Sequence, residues 1–488
     1  MKMNVRDLEP NSLWNNFADL NAVPRASKKE ERVIQFMMDF GNKLGLETIK
    51  DAIGNVVIKK PASIGMEDRK TVILQSHIDM VHQKNNDTDF DFAIQGIDMR
   101  VIGDWVDANG TTLGADNGIG VAAIMAVLAS DSIEHPAIEA MFTIDEETGM
   151  TGAINLDASN FSGEILLNLD TEDDDELSIG CAGGIDTNTS LKYDVEEITA
   201  DYQSFEISVK GLIGGHSGMD IDKGRGNSNK MMNRIFSHFL KDQLDFRIVS
   251  VDGGSLRNAI PRESKAIIAI SLNSIEVFEK SLLIISDRIK VEYSSIEKGL
   301  IINSTVVPNS GKMMTDVSVQ KAIVNAVQAA HNGVFRMSPE IETLVESSSS
   351  LARVIIKDGD FITQSLQRSS VESSRDDVAD TVRAPFDLIG CSVVQNGEYP
   401  GWQPNSSSPI LEIMKSIYIE RYKEEPQVKA CHAGLECGIL SKHLVGVDMI
   451  SFGPNIRAAH SPDEKCQISS VQKFWDYYLE VLRSIPNK

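Results

Sequence analysis

The sequence predicts an α/β protein of two domains, in which an α/β/α sandwich is interrupted by an α+β insert. The chain has 488 residues, more than the roughly 250–300 residues at which a single hydrophobic core stops growing. Short apolar strands alternate with helices in the first third and again after Trp402, which is typical of a mostly parallel sheet covered by helices. The strands in between are amphipathic, as in antiparallel sheets. We therefore expect one domain from residues 1–186 and 391–488, with residues 187–390 as the insert.

The composition is that of an ordinary globular protein, with 42% hydrophobic and 24% charged residues. The formal net charge of −24 disfavours nucleic acid and anionic membranes as partners, because phosphate groups are bound by basic surfaces. No apolar run reaches the ~18 residues that a membrane span needs, and the N-terminal stretch MKMNVRDLEP lacks the apolar segment of a secretory signal. Five cysteines without a Cys-x-x-Cys pair predict neither a disulfide framework nor a thiolate zinc site. We expect a cytoplasmic protein.

The first predicted elements are a helix and two short strands. Residues Ser27 to Glu30 have the pattern of a capping box, and apolar side chains then recur at helical spacing until Gly45. The strands that follow are expected at Leu46–Lys50 and Asn55–Lys59.

The stretch Thr71–Ser76 is the predicted central strand. It is apolar and rich in β-branched residues, which indicates burial on both faces. His77 and Asp79 follow it directly, and the alternation of side chains along an extended chain places both on one side. Ligands of open α/β sheets collect at the carboxyl ends of strands, so this pair is a candidate for a functional site.

A glycine-flanked turn, Gly114 to Gly118, opens into an apolar helix that ends at Ala129. Asp116 and Asn117 stand near the helix start, where backbone N–H groups are unpaired. Two interpretations are open: Asn117 is an N-cap only, or the turn directs Asp116 into a shared site.

Acidic residues also follow the next two predicted strands. Ile138–Ile144 ends in Asp145-Glu146-Glu147, and Glu164–Leu169 ends in Asp170. The acidic run at residues 172–176 is expected to be a solvated loop. An Asp or Glu taken alone is most often a solvent-facing residue. Here, however, each candidate follows a strand or begins a helix at the same edge of one predicted sheet.

The insert and the C-terminal part complete the pattern. The amphipathic strands of the insert are expected at Phe205–Lys210, Phe246–Val251, Lys265–Leu272, Arg353–Ile356 and Phe361–Gln367. The later elements are expected as a helix at Pro409–Tyr422, strands at Gln427–Cys431 and Val445–Phe452, and a final helix at Ser470–Ile485. His460 lies before that last helix.

Histidines and acids of this kind have the ligand types for two divalent metal ions. Imidazole together with carboxylate suits zinc, cobalt or manganese better than magnesium or calcium. The candidate ligands are His77, Asp116, Glu147, Asp170 and His460. Five residues can bind two ions if one carboxylate bridges them, and Asp116 is the natural bridge. Asp79 can then orient the ring of His77, and Glu146 can accept a proton from an activated water.

Several motifs together resemble the M20 metallopeptidases, and among them the bacterial dipeptidases, over nearly the whole chain. They include His77-Ile-Asp79, Gly114-Ala-Asp-Asn-Gly118, Asp145-Glu-Glu147, Asn168-Leu-Asp170, Gly215-His-Ser-Gly218, Leu256-Arg-Asn-Ala-Ile-Pro-Arg262, His432-Ala-Gly-Leu-Glu-Cys-Gly438 and Ala459-His-Ser-Pro-Asp-Glu464. The resemblance implies a zinc-peptidase-like α/β/α sandwich as catalytic domain, with an inserted α+β lid domain. It also implies two divalent metal ions per chain, zinc with cobalt or manganese as alternatives, and the five ligands named above.

Further roles follow from the same resemblance. His216 corresponds to the histidine of the insert that helps to polarise the scissile carbonyl, and Arg368 to an arginine that clamps the substrate's C-terminal carboxylate. Asn258 is a substrate contact on similar grounds. For Glu436 two interpretations are equally open: it binds the substrate amino group, or it caps the next helix. Cys181 and Cys437 are expected to be small buried side chains rather than nucleophiles, because their motifs contain no activating base.

The expected function is that of a metal-dependent dipeptidase. The resemblance implies unblocked dipeptides as substrates, including Xaa-His and β-alanyl-histidine. Acylase-like members of the family often carry glutamate where this sequence has Asp170, and the aspartate leans toward free-amino dipeptides. One alternative is an aminoacylase or carboxypeptidase that acts on N-blocked amino acids. Another, from a different class, is a non-catalytic peptide-binding protein. Family members are often homodimers, so a homodimer is a further expectation.

Overall fold

The computed structural model describes residues 4–342 and 344–488. The first three residues, which begin the N-terminal stretch considered above, and residue 343 of the predicted insert lie outside the described residues. The chain divides into two compact units, each discontinuous in sequence. The first comprises Met1–Gly180, Trp402–Ala430 and Leu435–Lys488, and the second comprises Cys181–Gly401 and Cys431–Gly434.

The first unit is built on a mixed sheet, whose strands number eight among the described residues. In spatial order they are Glu47–Lys50, Val56–Lys60, Ile138–Thr143, Val72–His77, Ile165–Asn168, Asp448–Ser451, Glu176–Cys181 and Gln427–Cys431. The four strands from Ile138–Thr143 to Asp448–Ser451 run parallel, whereas the described pairs on either side are antiparallel. Among the described strand pairs, the parallel ones thus lie at the centre of the sheet, and the prediction of a mostly parallel sheet was wrong for the antiparallel outer pairs.

The central strands of this sheet are buried on both faces. The strands Val72–His77, Ile138–Thr143 and Ile165–Asn168 are buried at every position, as is expected for parallel strands covered on both faces. The helix Ala115–Ala129 is buried at nearly all positions and packs on Val72–His77, which confirms that its apolar run is a buried helix.

The other helices of the first unit are amphipathic or short. They are Asn11–Asn21, Glu31–Lys43, Glu146–Gly149, Thr151–Ile154, Pro409–Tyr422, Glu436–His443 and Ile468–Arg483, with 3-10 turns at Val5–Asp7 and Ala158–Asn160. A small sheet joins Met99–Ile102, Trp105–Ala108, Lys465–Gln467 and Ile456–Arg457.

The predicted capping box at the start of the second helix is wrong. Helix Glu31–Lys43 begins one residue after Glu30, and no side chain caps it. The hydroxyl of Ser27 donates instead to Asp79 Oδ2, at 2.7 Å, so a long-range contact has replaced the local one. The predicted end is confirmed, because Gly45 follows the helix with a φ of +70°.

The second unit contains an antiparallel sheet and several helices. The sheet has nine strands in the described part of the chain. The strands are Ile301–Val307, Tyr202–Lys210, Ser264–Ser271, Phe246–Gly253, Val345–Lys357, Asp360–Ser369, Gly183–Lys192 and Ser392–Tyr399 in spatial order, with Gly333–Met337 paired to Val345–Lys357. The helices are Ser228–Lys241, Ile275–Glu292, Val317–Ala329 and Glu372–Leu388, with a 3-10 turn at Leu272–Ser274. Two short ladders pair Val195–Glu197 with Lys312–Met314 and Gly215–His216 with Ala259–Ile260.

One large apolar cluster forms the core of the second unit. Four phenylalanines in it form a row of ring contacts, with centroids 4.7–5.6 Å apart from one ring to the next, in the order Phe205, Phe278, Phe239, Phe246. Among the described residues, no helix combines the length and the apolar character that crossing a bilayer requires.

Candidate metal centre and active site

His77 ends the central strand and is 1% exposed. Its Nδ1 lies 3.4 Å from Asp79 Oδ1, and Asp79 also accepts hydrogen bonds from the hydroxyl of Ser27 and the backbone N–H of Glu146. Burial opposes ionisation of Asp79, but the hydrogen bonds from His77 and Ser27 lower its pKa overall. Asp79 thus links the histidine to the loop that carries the two glutamates.

Asp116 lies between two histidines. Its Oδ1 is 3.1 Å from His77 Nε2, and its Oδ2 is 3.1 Å from His460 Nε2. The turn that places it begins at Gly114, which has a φ of +71° and occupies the left-handed region that favours glycine. Asn117 does not cap the helix: its side-chain amide donates to the carbonyl of Leu169, at 2.6 Å.

A carboxylate that was given no role in the sequence analysis holds this turn. Glu464 is 2% exposed and accepts hydrogen bonds from the backbone N–H groups of Leu113, Gly114, Ala115 and Asp116 at 2.7–3.3 Å. The unpaired N–H groups at a helix start form an anion site, and here a side chain occupies it. Its position four residues after His460, in one motif, was the available signal.

Arg25 is a second residue that the sequence analysis missed. Its guanidinium is buried and donates to the carbonyl oxygens of Asp79 and Gly114, at 2.9 and 2.5 Å. Burial lowers the pKa of Arg25 to about 10, so it keeps its charge at neutral pH. It links the loop after the central strand to the turn that carries Asp116.

Glu146 and Glu147 begin a short helix after the strand Ile138–Thr143. The preceding residue, Asp145, has a φ of +56° and is held by the side chains of Lys28, Thr148 and Thr151. This turn brings Glu147 Oε2 to 2.9 Å from His460 Nε2. Burial raises the pKa of Glu146 well above its usual range.

Asp170 and His460 are the last two of the five predicted metal ligands. Asp170 Oδ1 is 3.6 Å from His77 Nε2, and burial raises the pKa of Asp170 to about 6. His460 is exposed in the loop before Lys465–Gln467 and has a φ of +64°. Its hydrogen bonds with Asp116 and Glu147 raise its pKa to about 11.

The five predicted ligands form two overlapping triads. Potential ligand atoms of His77, Asp116 and Asp170 lie within 4.8 Å of one another, and so do those of Asp116, Glu147 and His460. Asp116 belongs to both triads and directs one oxygen to each. A further group of the same size, His77 with Glu146 and Glu147, places Glu146 beside the ligands.

The residues present fit divalent cations. Asp170 Oδ1 and Glu147 Oε1 are buried and have no hydrogen-bond partner in the described part of the chain. Unpaired carboxylate oxygens are costly in a protein interior unless a cation or a donor compensates them. Imidazole nitrogens and carboxylate oxygens together match zinc, cobalt or manganese.

Glu436 is fully buried at the start of helix Glu436–His443. Its Oε2 accepts hydrogen bonds from Gln75 Nε2, at 2.6 Å, and from the hydroxyl of Thr143, at 2.7 Å. Burial raises its pKa to about 7. Both donors come from strands of the sheet, so the carboxylate faces the sheet rather than the N–H groups of its own helix.

The remaining predicted site residues belong to the second unit. His216 Nδ1 accepts hydrogen bonds from the N–H groups of Gly218 and Met219, at 3.2 and 3.0 Å. Burial and the charge of Arg368 lower the pKa of His216 to about 4. The ring is therefore neutral at physiological pH and carries its proton on Nε2. The exposed Asn258 accepts from Ser217 N through its backbone carbonyl, beside the short ladder that contains His216.

Arg368 is 5% exposed and donates to the hydroxyl of Tyr399, at 2.6 Å. Its Nε has no hydrogen-bond partner, and no carboxylate of the described residues forms an ion pair with it. A Cβ atom at Gly218 would lie 2.0 Å from the carbonyl oxygen of His432, and 3.1 and 3.2 Å from His216 Cε1 and Arg368 Cδ. Glycine at this position therefore allows the His216 loop to approach the backbone of His432 closely.

The acidic run at residues 172–176 is not the solvated loop that was predicted. Its five residues are half-buried, and ion pairs tie it to Lys429, Arg457 and Lys473. Burial, together with the charges of Asp116 and Asp170, raises the pKa of Glu172 to about 8.

A model of the peptidase family M20/M25/M40 matches residues 73–484, which include all five candidate ligands. The chain belongs to this family. The M20 chain is 38% identical to the cytosol non-specific dipeptidase of Escherichia coli (strain K12) over 484 residues, which cover 99% of each chain.

Solved structures of other peptidases have the same fold as this chain. The aminoacylhistidine dipeptidase from Vibrio alginolyticus superposes with a TM-score of 0.93 at 41% identity, over 100% of this M20 chain and 99% of the other. The aminopeptidase PepT from Bacillus cereus shares the fold, with a TM-score of 0.56 at 15% identity over 98% and 99% of the two chains. The predicted fold class, an α/β catalytic domain with an inserted α+β lid domain, is confirmed.

Proposed function

We propose that this M20 peptidase is a metal-dependent dipeptidase that hydrolyses unblocked dipeptides, including Xaa-His and β-alanyl-histidine. The observation that carries the proposal is the pair of ligand triads that share Asp116, with Glu146 beside them. The full-length similarity to a cytosol non-specific dipeptidase and to an aminoacylhistidine dipeptidase supports the substrate class.

The proposed ligands are His77, Asp116 and Asp170 for one ion and Asp116, Glu147 and His460 for the other, with zinc as the first choice and cobalt or manganese as alternatives. When bound, two such ions supply Lewis acidity to the peptide carbonyl and make a water molecule more acidic. Asp79 keeps the His77 ring in the orientation that directs Nε2 toward Asp116.

Glu146 is proposed as the general base and then the general acid. A carboxylate oxygen of Glu146 takes a proton from the water as the water oxygen attacks the carbonyl carbon of the peptide bond. The same carboxyl group then delivers that proton to the leaving nitrogen as the C–N bond breaks. The hydrogen bond from Glu146 N to Asp79 fixes the start of the short helix that carries this side chain.

The substrate contacts are proposed as follows. Glu436 binds the free amino group, since its Oε1 is buried and has no hydrogen-bond partner among the residues that the structure describes. His216 donates from Nε2 to the carbonyl oxygen as negative charge develops there, because its Nδ1 is already occupied by two N–H donors. Arg368, a buried guanidinium without an acidic partner in the described residues, binds the C-terminal carboxylate, and Asn258 adds a contact.

The test is hydrolysis of alanyl-histidine and β-alanyl-histidine by the metal-free protein and after addition of zinc, cobalt or manganese. Glu146→Gln should lower kcat on the order of 10²–10⁴-fold and leave about two ions per chain. The control is Glu139→Gln, a buried carboxylate that Ser162 and Gly163 satisfy with hydrogen bonds at 2.7–3.1 Å. Turnover that does not depend on metal would refute the proposal. Faster cleavage of N-acetyl amino acids than of dipeptides would point to an aminoacylase.

A further inference from the structure

A row of buried polar side chains crosses the centre of the first-unit sheet. Gln75, Asn168 and Ser451 are register partners on three neighbouring parallel strands. Asn168 Nδ2 donates to Gln75 Oε1, and the hydroxyl of Ser451 donates to Asn168 Oδ1, both at 2.5 Å. The three residues are 0–1% exposed. Such a row replaces apolar packing in the best-buried part of the sheet, which is costly unless every polar group is paired.

The row ends at Glu436. Gln75 Nε2 donates both to Glu436 Oε2, at 2.6 Å, and to the hydroxyl of Thr143, at 3.1 Å. The Thr143 hydroxyl in turn donates to the same Oε2, at 2.7 Å. Two donors therefore fix one oxygen of the carboxylate. Asn168 in turn holds Gln75 through its Nδ2, and its amide oxygen accepts from Ser451.

The row lies next to the candidate metal ligands. Gln75 is two residues before His77 on the same strand, so both side chains are on one face of the sheet. Asn168 is likewise two residues before Asp170. Thr143, which ends its strand, is the register partner of His77. The network therefore supports Glu436 directly beside the strand ends that carry the ligands.

The other oxygen of the Glu436 carboxylate is different. Glu436 Oε1 is buried, and no donor in the described residues reaches it. The polar side-chain atoms of Gln75, Thr143 and Asn168, in contrast, all have hydrogen-bond partners. A network that is complete except at one carboxylate oxygen indicates that a cationic or N–H group of a ligand completes it.

Building on the proposed function, we infer that Gln75, Thr143 and Asn168 are positioning residues for selectivity toward substrates with a free amino group. Gln75 and Thr143 hold Glu436 by Oε2, and Asn168 holds Gln75 in place. This leaves Oε1 to accept a hydrogen bond from the substrate ammonium. Gln75 is an amide rather than a carboxylate because it must donate to Glu436 and accept from Asn168 at once. The selectivity of the enzyme is thus set partly in the sheet interior, by residues that never touch the substrate.

The first experiment compares alanyl-histidine with propionyl-histidine, which has the same shape at that end but lacks the amino group. Glu436→Gln should lower kcat/KM for alanyl-histidine roughly 10- to 100-fold, the effect of a lost charge-assisted hydrogen bond, and change propionyl-histidine less than about threefold. If propionyl-histidine is cleaved too slowly, its inhibition constant provides the same comparison. Glu139→Gln is the matched control and should leave the ratio of the two substrates unchanged.

The second experiment is a double-mutant cycle that tests the positioning role. Gln75→Met should lower the preference for alanyl-histidine over propionyl-histidine in the otherwise native protein. In the Glu436→Gln background the same substitution should change that preference less than about twofold. Thr143→Val should act in the same way, and Thr143→Ser should restore the preference. Gln320→Met is the control, because Gln320 is equally buried and hydrogen-bonded to Ile248 N in the second unit. Metal content of each variant is measured in parallel.

The outcomes separate the inference from the function on which it rests. If the native protein shows no metal-dependent turnover of either substrate, the proposed function fails. If turnover is present but Glu436→Gln slows both substrates equally, or if the effects of Gln75→Met and Glu436→Gln on the preference multiply, the inference is refuted. A Gln75→Met variant that loses thermal stability and keeps the full preference would assign the row a structural role only.

Discussion

Glu464→Gln tests whether the turn that carries Asp116 depends on one buried carboxylate. In the native protein the two oxygens of Glu464 accept hydrogen bonds from four consecutive N–H groups, of Leu113 to Asp116, at 2.7–3.3 Å. A glutamine has one acceptor oxygen, and its NH₂ group would face two of these N–H donors. Two buried donors are then unpaired, at about 1–3 kcal/mol each, so we expect a loss of roughly 2–6 kcal/mol in the stability of the first unit.

The assay has two parts. Thermal unfolding of the metal-free protein should show a lower Tm for Glu464→Gln. Titration with zinc should show an affinity reduced on the order of 10- to 100-fold, because a displaced turn moves the ligand that both triads share. Glu424→Gln, at an exposed glutamate of the same unit, controls for loss of charge alone. An unchanged Tm together with an unchanged zinc affinity would refute the reasoning.

Three further predictions follow from the same geometry. Asp116→Ala should lose both metal ions and Glu147→Ala only one, as measured by elemental analysis after dialysis; equal losses would contradict the assignment of Asp116 as the bridge. His216→Asn should lower kcat without moving the acid limb of the pH profile between pH 5 and 8, because the pKa of His216 is lowered to about 4 and the ring is neutral throughout that range. A shifted acid limb would mean that His216 titrates there. Under native conditions a thiol reagent should label Cys431 before the other four cysteines, which are buried; fast labelling of several thiols would contradict this.

The local elements were predictable because each depends on a short stretch of sequence. The helix Pro409–Tyr422 and the strand Gln427–Cys431 have the predicted bounds. The central strand is Val72–His77, one residue later than expected at each end. Hydrophobic periodicity and β-branched content predict such elements directly, because they indicate which side chains are buried.

Errors arose where a long-range partner replaced a local one. Ser27 has the sequence context of a helix cap, but its hydroxyl is bonded to Asp79, more than fifty positions away in the chain. For Asn117 two interpretations were open, and the structure rejects the helix cap, because the side chain donates to Leu169. The acidic residues 172–176 were expected in solvent, and they are half-buried among basic side chains. In each case the residue type allowed both outcomes, and the fold selected one.

The sequence by itself determined the α/β class, the strand that presents His77, and the ligand types that point to divalent metals. These follow from periodicity and from the chemistry of side chains, which are properties of each residue and its neighbours. Only the tertiary structure decided which buried carboxylates have all their oxygens hydrogen-bonded and which keep an oxygen available for a ligand. Glu464 and Glu436 are both buried acids, but four N–H groups satisfy the first, whereas one oxygen of the second has no partner in the described residues. That difference depends on donors brought from distant strands and turns, and no local pattern in the chain encodes it.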